Sequence, residues 1–297
     1  MALGTPLPAP WRIVVQAGSL GLAHGFCIVL GFALAVLAWG LWVPTWDPQV
    51  RETTITFDDP ALRGRSLNVA LVSDIHVGNH GMTAARLDRV VDQIMARRPD
   101  AILLAGDFVN GEYPGDPAMR VDLLAAPLSR LHAPLGVFAV LGNHDRITDP
   151  AAVQAALTRA GVTVLVDQLA ALGPITLIGV DDALPKRARL PILMTQAHAT
   201  GRPLVVMEHA PSLLRLLAPD VPVILAGHTH CGQVRLPGWT GGRNPITGTT
   251  YYNPRFRCGL VRWRNRIVLV SGGVGSGSFP LRIGTRPDFW MIRFTGR

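Results

Sequence analysis

Lysine is nearly absent from this 297-residue chain: Lys186 is the only one, so the basic side of its formal charge of +8 is almost wholly arginine. Such a surface favours polyanions, whether phosphorylated small molecules, anionic lipid or nucleic acid. No nucleic-acid recognition module is visible, which leaves the first two. Cysteine is scarce as well. Cys27, Cys231 and Cys258 form an odd, scattered set that matches neither a disulfide framework nor a zinc knuckle and does not settle the redox compartment. There is no internal repeat and no low-complexity block. With 48% hydrophobic residues the chain is long enough for one large or two small domains around a substantial core.

Charge of either sign is missing between Ile13 and Val43, where only Gln16, Ser19 and His24 interrupt apolar and small side chains. As a helix this stretch rises roughly 46 Å, more than the roughly 30 Å hydrocarbon core of a bilayer requires, so one tilted transmembrane helix fits and two do not. Trp11 on one side and Trp39, Trp42 and Trp46 on the other are placed as interface anchors. The apolar run is too long for a signal peptide, and no clear small-residue cleavage site follows it. The expected division is a tail over 1–12, a transmembrane helix over 13–43, a linker over 44–53 and a catalytic domain over 54–297. Arg12 alone is charged before the span, whereas Asp47, Arg51, Glu52, Asp58 and Asp59 follow it. The positive-inside rule then leans to an internal N-terminus and an outward-facing domain.

Beyond the span, short apolar runs alternate with helical patterns. The runs "LNVALVS", "AILLA", "GVFAVLG", "ITLIGV", "PLVVMEH" and "VPVILAG" are apolar on both faces, which suits strands covered on both sides. The stretches "TAARLDRVVDQIMARR" and "DPAAVQAALTRAG" read as amphipathic helices, the second with Asp149 as N-cap, Pro150 at the first helical position and Gly161 at its end. The fold class is therefore α/β and layered. Near the C-terminus "GLVRWRNRIVLVSGG" reads as a hairpin and "FWMIRF" as a last strand.

Polar residues collect after the buried runs. Asp74 and His76 follow the first, Asp107 and Asn110 the second, and Asn143, His144 and Asp145 the third; His209 ends a later run, and His228 and His230 end the last. In open α/β sheets the ligand crevice lies beyond the carboxyl ends of the strands, so these groups are expected to meet. Each alone has an ordinary explanation: a loop carboxylate, a helix cap, a turn asparagine, a solvated histidine. Together they place five of the nine histidines at strand ends. His24, His80, His132 and His198 have no such placement and read as structural or solvent-exposed.

The ordered series D-x-H, G-D, G-N-H-D, H and G-H-x-H resembles the calcineurin-like metallophosphoesterases over roughly Leu67 to Arg286. Within them, "GHTHCGQVRLPGW" followed by "GGVGSGSFPLRIGTRP" resembles the bacterial YkuE-like branch, whose members often carry an N-terminal membrane or export segment. Cys231 stands where glycine is common in that branch, a small change that touches no ligand. The resemblance implies two packed β-sheets flanked by helices. It also implies a dinuclear centre with Asp74, His76 and His230 on one divalent ion, Asn143, His209 and His228 on the other, and Asp107 bridging. Carboxylate, imidazole and amide oxygen suit Mn, Zn or Fe, and the lack of thiolate ligands argues against a closed structural zinc site.

Two cations sharing a carboxylate clamp the attacking and leaving oxygens of an in-line displacement, with a metal-bound hydroxide as nucleophile. His144, beside a ligand but not one itself, is expected to stabilise charge on phosphorus or protonate the leaving oxygen, with Asp145 orienting it. The expected function is a membrane-tethered phosphoesterase, a monomer in the bacterial inner membrane acting on a phosphorylated small molecule or a lipid-linked substrate. A pyrophosphatase of a UDP-diacylglucosamine type of precursor is the alternative within the enzymes. A non-catalytic metal-binding module is the alternative outside them, and it predicts lost ligands that are not lost here.

Two further features bear on the site. The glycines of "SGGVGSGSF" lack the G-x-x-x-x-G-K-[ST] pattern and are expected to form a tight turn beside the site rather than a phosphate cradle. Arg255, Arg257, Arg262, Arg264 and Arg266 surround the hairpin, several at period-two spacing. That alternation can gather arginines on one face, towards anionic lipid, substrate phosphate or plain solvent.

Overall fold

The computed structural model describes residues 10–181, 189–217, 219–236, 238 and 252–297, with side chains of 10–22 and 215 left aside. Residues 1–9 of the expected tail, the side chain of Trp11, Lys186 and Trp239 lie outside the described residues. The chain divides into two units, Met1–Gly40 and Leu41–Arg297.

The first unit is made of α1 (Pro10–Trp42), which continues into the second. The stretch Ala23–Thr45 is long and apolar enough to cross a membrane, with a mean hydropathy of 2.4. Phe26, Ile28, Val29 and Phe32 on this helix are exposed, as expected of a segment whose solvent is lipid.

The second unit holds two six-stranded sheets. Its strands are β1 (Gln49–Phe57), β2 (Ser66–Val72), β3 (Ala101–Ala105), β4 (Val137–Val140), β5 (Thr163–Val164), β6 (Gln168–Leu172), β7 (Ile175–Gly179), β8 (Leu204–Met207), β9 (Val223–Ala226), β10 (Gly259–Trp263), β11 (Arg266–Val270) and β12 (Asp288–Gly296). The helices are α2 (Ala84–Met95), α3 (Ala125–Leu128), α4 (Asn143–Thr148), α5 (Pro150–Arg159) and α6 (Leu190–Ala199). One sheet has the order β1-β12-β2-β3-β4-β5 and the other β10-β11-β9-β8-β7-β6. Within them β2, β3, β4 and β5 run parallel, as do β7, β8, β9 and β11.

Alternation along each strand explains why the runs are apolar throughout. Leu71, Leu103 and Val140 of the first sheet meet Leu177, Val205 and Leu225 of the second. Their neighbours Ala70, Ile102 and Ala139 turn the other way, towards Leu87 and Val91 of α2 and Val153 and Leu157 of α5. On the far side Ile178, Val206 and Ile224 pack on Leu193 and Ala197 of α6. The layers are helix, sheet, sheet, helix, each sheet buried on both faces. Thr83 caps α2 by accepting from Arg86 N, and Asp149 caps α5 by accepting from Ala152 N ahead of Pro150.

Three sequence expectations need adjustment. β1 begins at Gln49, inside the stretch set aside as a linker. It is the edge of its sheet, so its first residues carry charge and show no apolar run. The hairpin forms as β10 and β11, but its arginines do not share a face. Arg262 is exposed, Arg264 sits in the turn, and Arg266 is buried, donating to the carbonyls of Leu214 and Leu217. Cys231 and Cys258 form a disulfide, which the scattered cysteine count did not suggest; Cys27 is the free thiol. A separation of 27 residues is invisible to spacing rules, because β11 pairs with both β9 and β10 and so brings the segment after β9 to the one before β10.

Candidate metal centre

All five polar clusters meet at one end of the two sheets. Asp74 and His76 follow β2, Asp107 follows β3, Asn143 opens α4 after β4, His209 follows β8, and His228 and His230 follow β9. The chain has to turn abruptly off each strand to aim these side chains into the crevice. Asp74, His76, Asp107, His228 and His230 accordingly adopt positive φ between 49° and 71°, a region non-glycine residues seldom occupy outside functional sites. Two glycines make room: a Cβ on Gly142 would strike the Asp107 carboxylate, and one on Gly227 would lie 2.5 Å from Asp74 Oδ2.

The donor atoms fall into two groups. His76 Nε2 lies 3.2 Å from His230 Nε2, which is 3.5 Å from Asp74 Oδ1. In the other group His209 Nε2 lies 3.2 Å from both Asn143 Oδ1 and His228 Nδ1. Asp107 Oδ2 belongs to both, 3.6 Å from His76 Nε2 and 3.1 Å from His209 Nε2. Ligands about 2.1 Å from one shared cation lie roughly 3.0 to 3.4 Å from one another in octahedral or tetrahedral arrangements; the spacings of 3.1 and 3.2 Å fall in that range and those of 3.5 and 3.6 Å just above it, so each group is close to the geometry of a cation site.

The electrostatics suit the same occupant. Burial lowers the pKa of His76 to about 3 and of His228 to about 4, and holds His230 well below its ordinary value, so all three imidazoles are neutral, as ligation needs. Burial raises Asp74 to about 6. Burial acts on Asp107 in the same sense, but the adjoining His209, 3.1 Å from Oδ2, outweighs it and holds this carboxyl below the usual carboxylate range. His209 Nδ1 donates to the Ala105 carbonyl at 2.7 Å, which turns the lone pair of Nε2 into the site. His230 differs: its Nδ1 faces the guanidinium of Arg282 at 3.3 Å.

His144 and Asp145 stand differently from expectation. His144 Nδ1 donates to the Gly111 carbonyl at 2.6 Å, with Glu112 Oε1 4.0 Å away, and its ring meets that of His76 edge-on at 4.9 Å. The Asp145 carboxylate does not orient that ring. It accepts the backbone N–H groups of Asp107, Phe108, Val109 and Gly142, all between 2.8 and 3.2 Å. As the third residue of α4 its side chain reaches back over the helix start, while the His144 ring points away along the helix surface.

Sequence reasoning did not single out Gly111, Glu112 or Arg282. Gly111 acts through a carbonyl, and Glu112 follows Asp107 with no spacing rule to mark it. Arg282, fully buried, donates to the carbonyls of Gly272, Gly273, Gly275 and Arg286. The glycine segment around it is a turn, as expected. Val274 N and Gly275 N donate to the carbonyls of Ser73 and Asp74, leaving neither for a phosphate. His24, His80, His132 and His198 are all exposed, and His198 pairs with Asp220 at 2.6 Å.

Comparison with known proteins gives the family of the chain. A metallophosphoesterase of Aquifex aeolicus with no characterised activity is 29% identical over 244 residues, covering 79% of this chain and 87% of that protein. The Escherichia coli phosphodiesterase YaeI is 27% identical over 258 residues, 84% of this chain and 88% of its own length. A zebrafish transmembrane protein with a metallophosphoesterase domain is 27% identical over 277 residues; these cover 87% of this chain but 60% of the longer relative. The model of the calcineurin-like phosphoesterases matches residues 67–232, more than half of the chain, and the chain belongs to that family of metal-dependent phosphoester hydrolases.

Proposed function

We propose that this protein is a membrane-tethered phosphoesterase that works with two divalent cations and cleaves a phosphate ester or anhydride by in-line displacement. The observation that carries the reading is the position of Asp107 Oδ2, within 3.6 Å of a donor nitrogen in each group. Asp74, His76 and His230 would hold one cation, Asn143, His209 and His228 the other, and Asp107 both. When bound, such a pair supplies Lewis acidity at phosphorus and lowers the pKa of the attacking water towards neutrality.

The remaining work falls to the chain. The Gly111 carbonyl takes the Nδ1 proton of His144, so in the imidazolium form the second proton, on Nε2, would hydrogen-bond a phosphate oxygen or pass to the leaving group. Asp145 fixes the loop of Asp107 through its backbone donors, so the shared carboxylate is placed before any ligand arrives.

Chelation followed by readdition of Mn, Zn or Fe tests the reading, with bis(nitrophenyl) phosphate as substrate. Activity should vanish on chelation and return with at least one metal. Turnover that survives complete metal removal would overturn it.

A further inference from the structure

The chain reaches the catalytic unit at the end that carries the metal centre. Gln49, the first residue of β1, pairs with Asp288, the first of β12, and β12 runs antiparallel to β2. Gln49 therefore lies at the end of β2 from which Asp74 and His76 project. Residues 43–48, between α1 and β1, pack at that same end. Pro44 lies so close to Gly81 that a Cβ there would be 2.8 Å from its own. Arg86 Nη2 donates to both the Trp46 and the Val274 carbonyls, at 2.5 and 2.8 Å, and the Arg286 guanidinium covers the Trp46 ring at 5.0 Å. Val274 N in turn donates to the carbonyl of Ser73, next to Asp74. Trp46 follows directly on the apolar stretch that ends at Thr45. A chain that leaves a bilayer at Thr45 therefore enters the catalytic unit at its metal-centre end.

The rim has the composition such a position calls for. Ser278 donates to Glu112, whose carboxylate stands 4.0 Å from His144, and the neighbours of that bond, Tyr113 and Phe279, are 54% and 61% exposed. Tyrosine is favoured at the level of lipid headgroups, and phenylalanine on faces that insert just below them. The basic hairpin turn lies at the other end of the fold: β11 starts at Arg266 beside the start of β9, whereas His228 follows the end of β9.

We propose that the metal-centre end of this domain docks on the lipid headgroup layer through Tyr113 and Phe279, and that the substrate is a phosphoester whose apolar part stays in the bilayer. The substrate half rests on the phosphoesterase reading; the docking half does not.

The test uses the full chain in vesicles of phosphatidylcholine and phosphatidylglycerol. With Cys27→Ser removing the free thiol, an environment-sensitive dye is attached through Phe279→Cys or, separately, Arg262→Cys. Nitroxide lipids should quench the dye at 279 and spare the one at 262; equal quenching, or none at 279, overturns the docking. Turnover of a long-chain alkyl nitrophenyl phosphate in the vesicles is then compared with methyl nitrophenyl phosphate in solution. Tyr113→Ser with Phe279→Ser should slow the first at least about tenfold, since two buried aromatic contacts are lost, and leave the second within about twofold. Equal effects on the two substrates overturn the substrate half. A wild-type chain that hydrolyses neither with metals present overturns the phosphoesterase reading, while the dye still decides the docking.

Discussion

Asp145 Oδ2 accepts the backbone N–H of Asp107 at 2.9 Å, so the carboxylate expected to orient a catalytic histidine instead braces the residue shared by both donor groups. The same oxygen takes the N–H of Gly142, and Oδ1 takes those of Phe108 and Val109. Asp145→Asn turns an amide nitrogen towards two of these donors. The metal-free chain should lose at least about 2 kcal/mol of stability, because buried donors left unpaired each cost about 1–3 kcal/mol. Urea unfolding checks this. A slower enzyme of unchanged stability would return Asp145 to the role of orienting His144.

His144→Ala should reduce turnover roughly 10² to 10⁴-fold while sparing bound metal, since its backbone N–H, which holds Asp107 Oδ1 at 2.9 Å, is retained. The loss should shrink for esters of nitrophenol, whose leaving oxygen needs no proton. An equal loss across leaving groups would assign His144 to charge stabilisation rather than protonation.

The strands that carry the site and the seven proposed ligands are legible in the sequence for one reason, whereas the edge strand β1 and the short β5 and β6 are not. Each ligand follows a short apolar run, and the side chains that bind metals are chemically distinctive. What supports them is not legible. Asp145 acts through main-chain donors on another strand's loop, and Gly111 acts through a carbonyl. Arg282 reaches His230 across 52 residues, and Cys231 reaches Cys258 only through the pairing of β9 and β10 with β11. Such contacts depend on tertiary closeness that local pattern does not encode. Period-two spacing of arginines misled for a related reason: the turn at Arg264 breaks the alternation, and Arg266 is drawn into the fold by two carbonyls.

The disulfide ties the loop of His228 and His230 to the segment before β10. Closing a separation of 27 residues contributes about 3–4 kcal/mol in the chain-entropy account. Cys258→Ser, or reduction of the wild-type chain, should lower the melting temperature and speed loss of metal. Thermal scans with and without a thiol reductant check the first effect and chelator-challenge kinetics the second. Identical curves would show that the bridge supports neither.

The two donor groups should differ in affinity. His209 has a carbonyl on its second ring nitrogen, the usual arrangement for a metal ligand, whereas His230 faces a guanidinium, which withdraws electron density. Calorimetric titration of Mn or Zn into the metal-free chain should show two classes of site, separated by about 10- to 100-fold, the range second-sphere partners command. His230→Ala should remove the weaker class and His209→Ala the tighter. A single class of two equal sites would contradict this.

The sharing of Asp107 is tested most directly by elemental analysis of metal per chain in the wild type and in Asp107→Ala, with turnover measured on the same samples. The expected result is two ions per wild-type chain, with depleted metal and no hydrolysis in the variant, because both cations lose the carboxylate between them. Two ions per chain in the variant, with near-normal turnover, would contradict the shared-carboxylate centre.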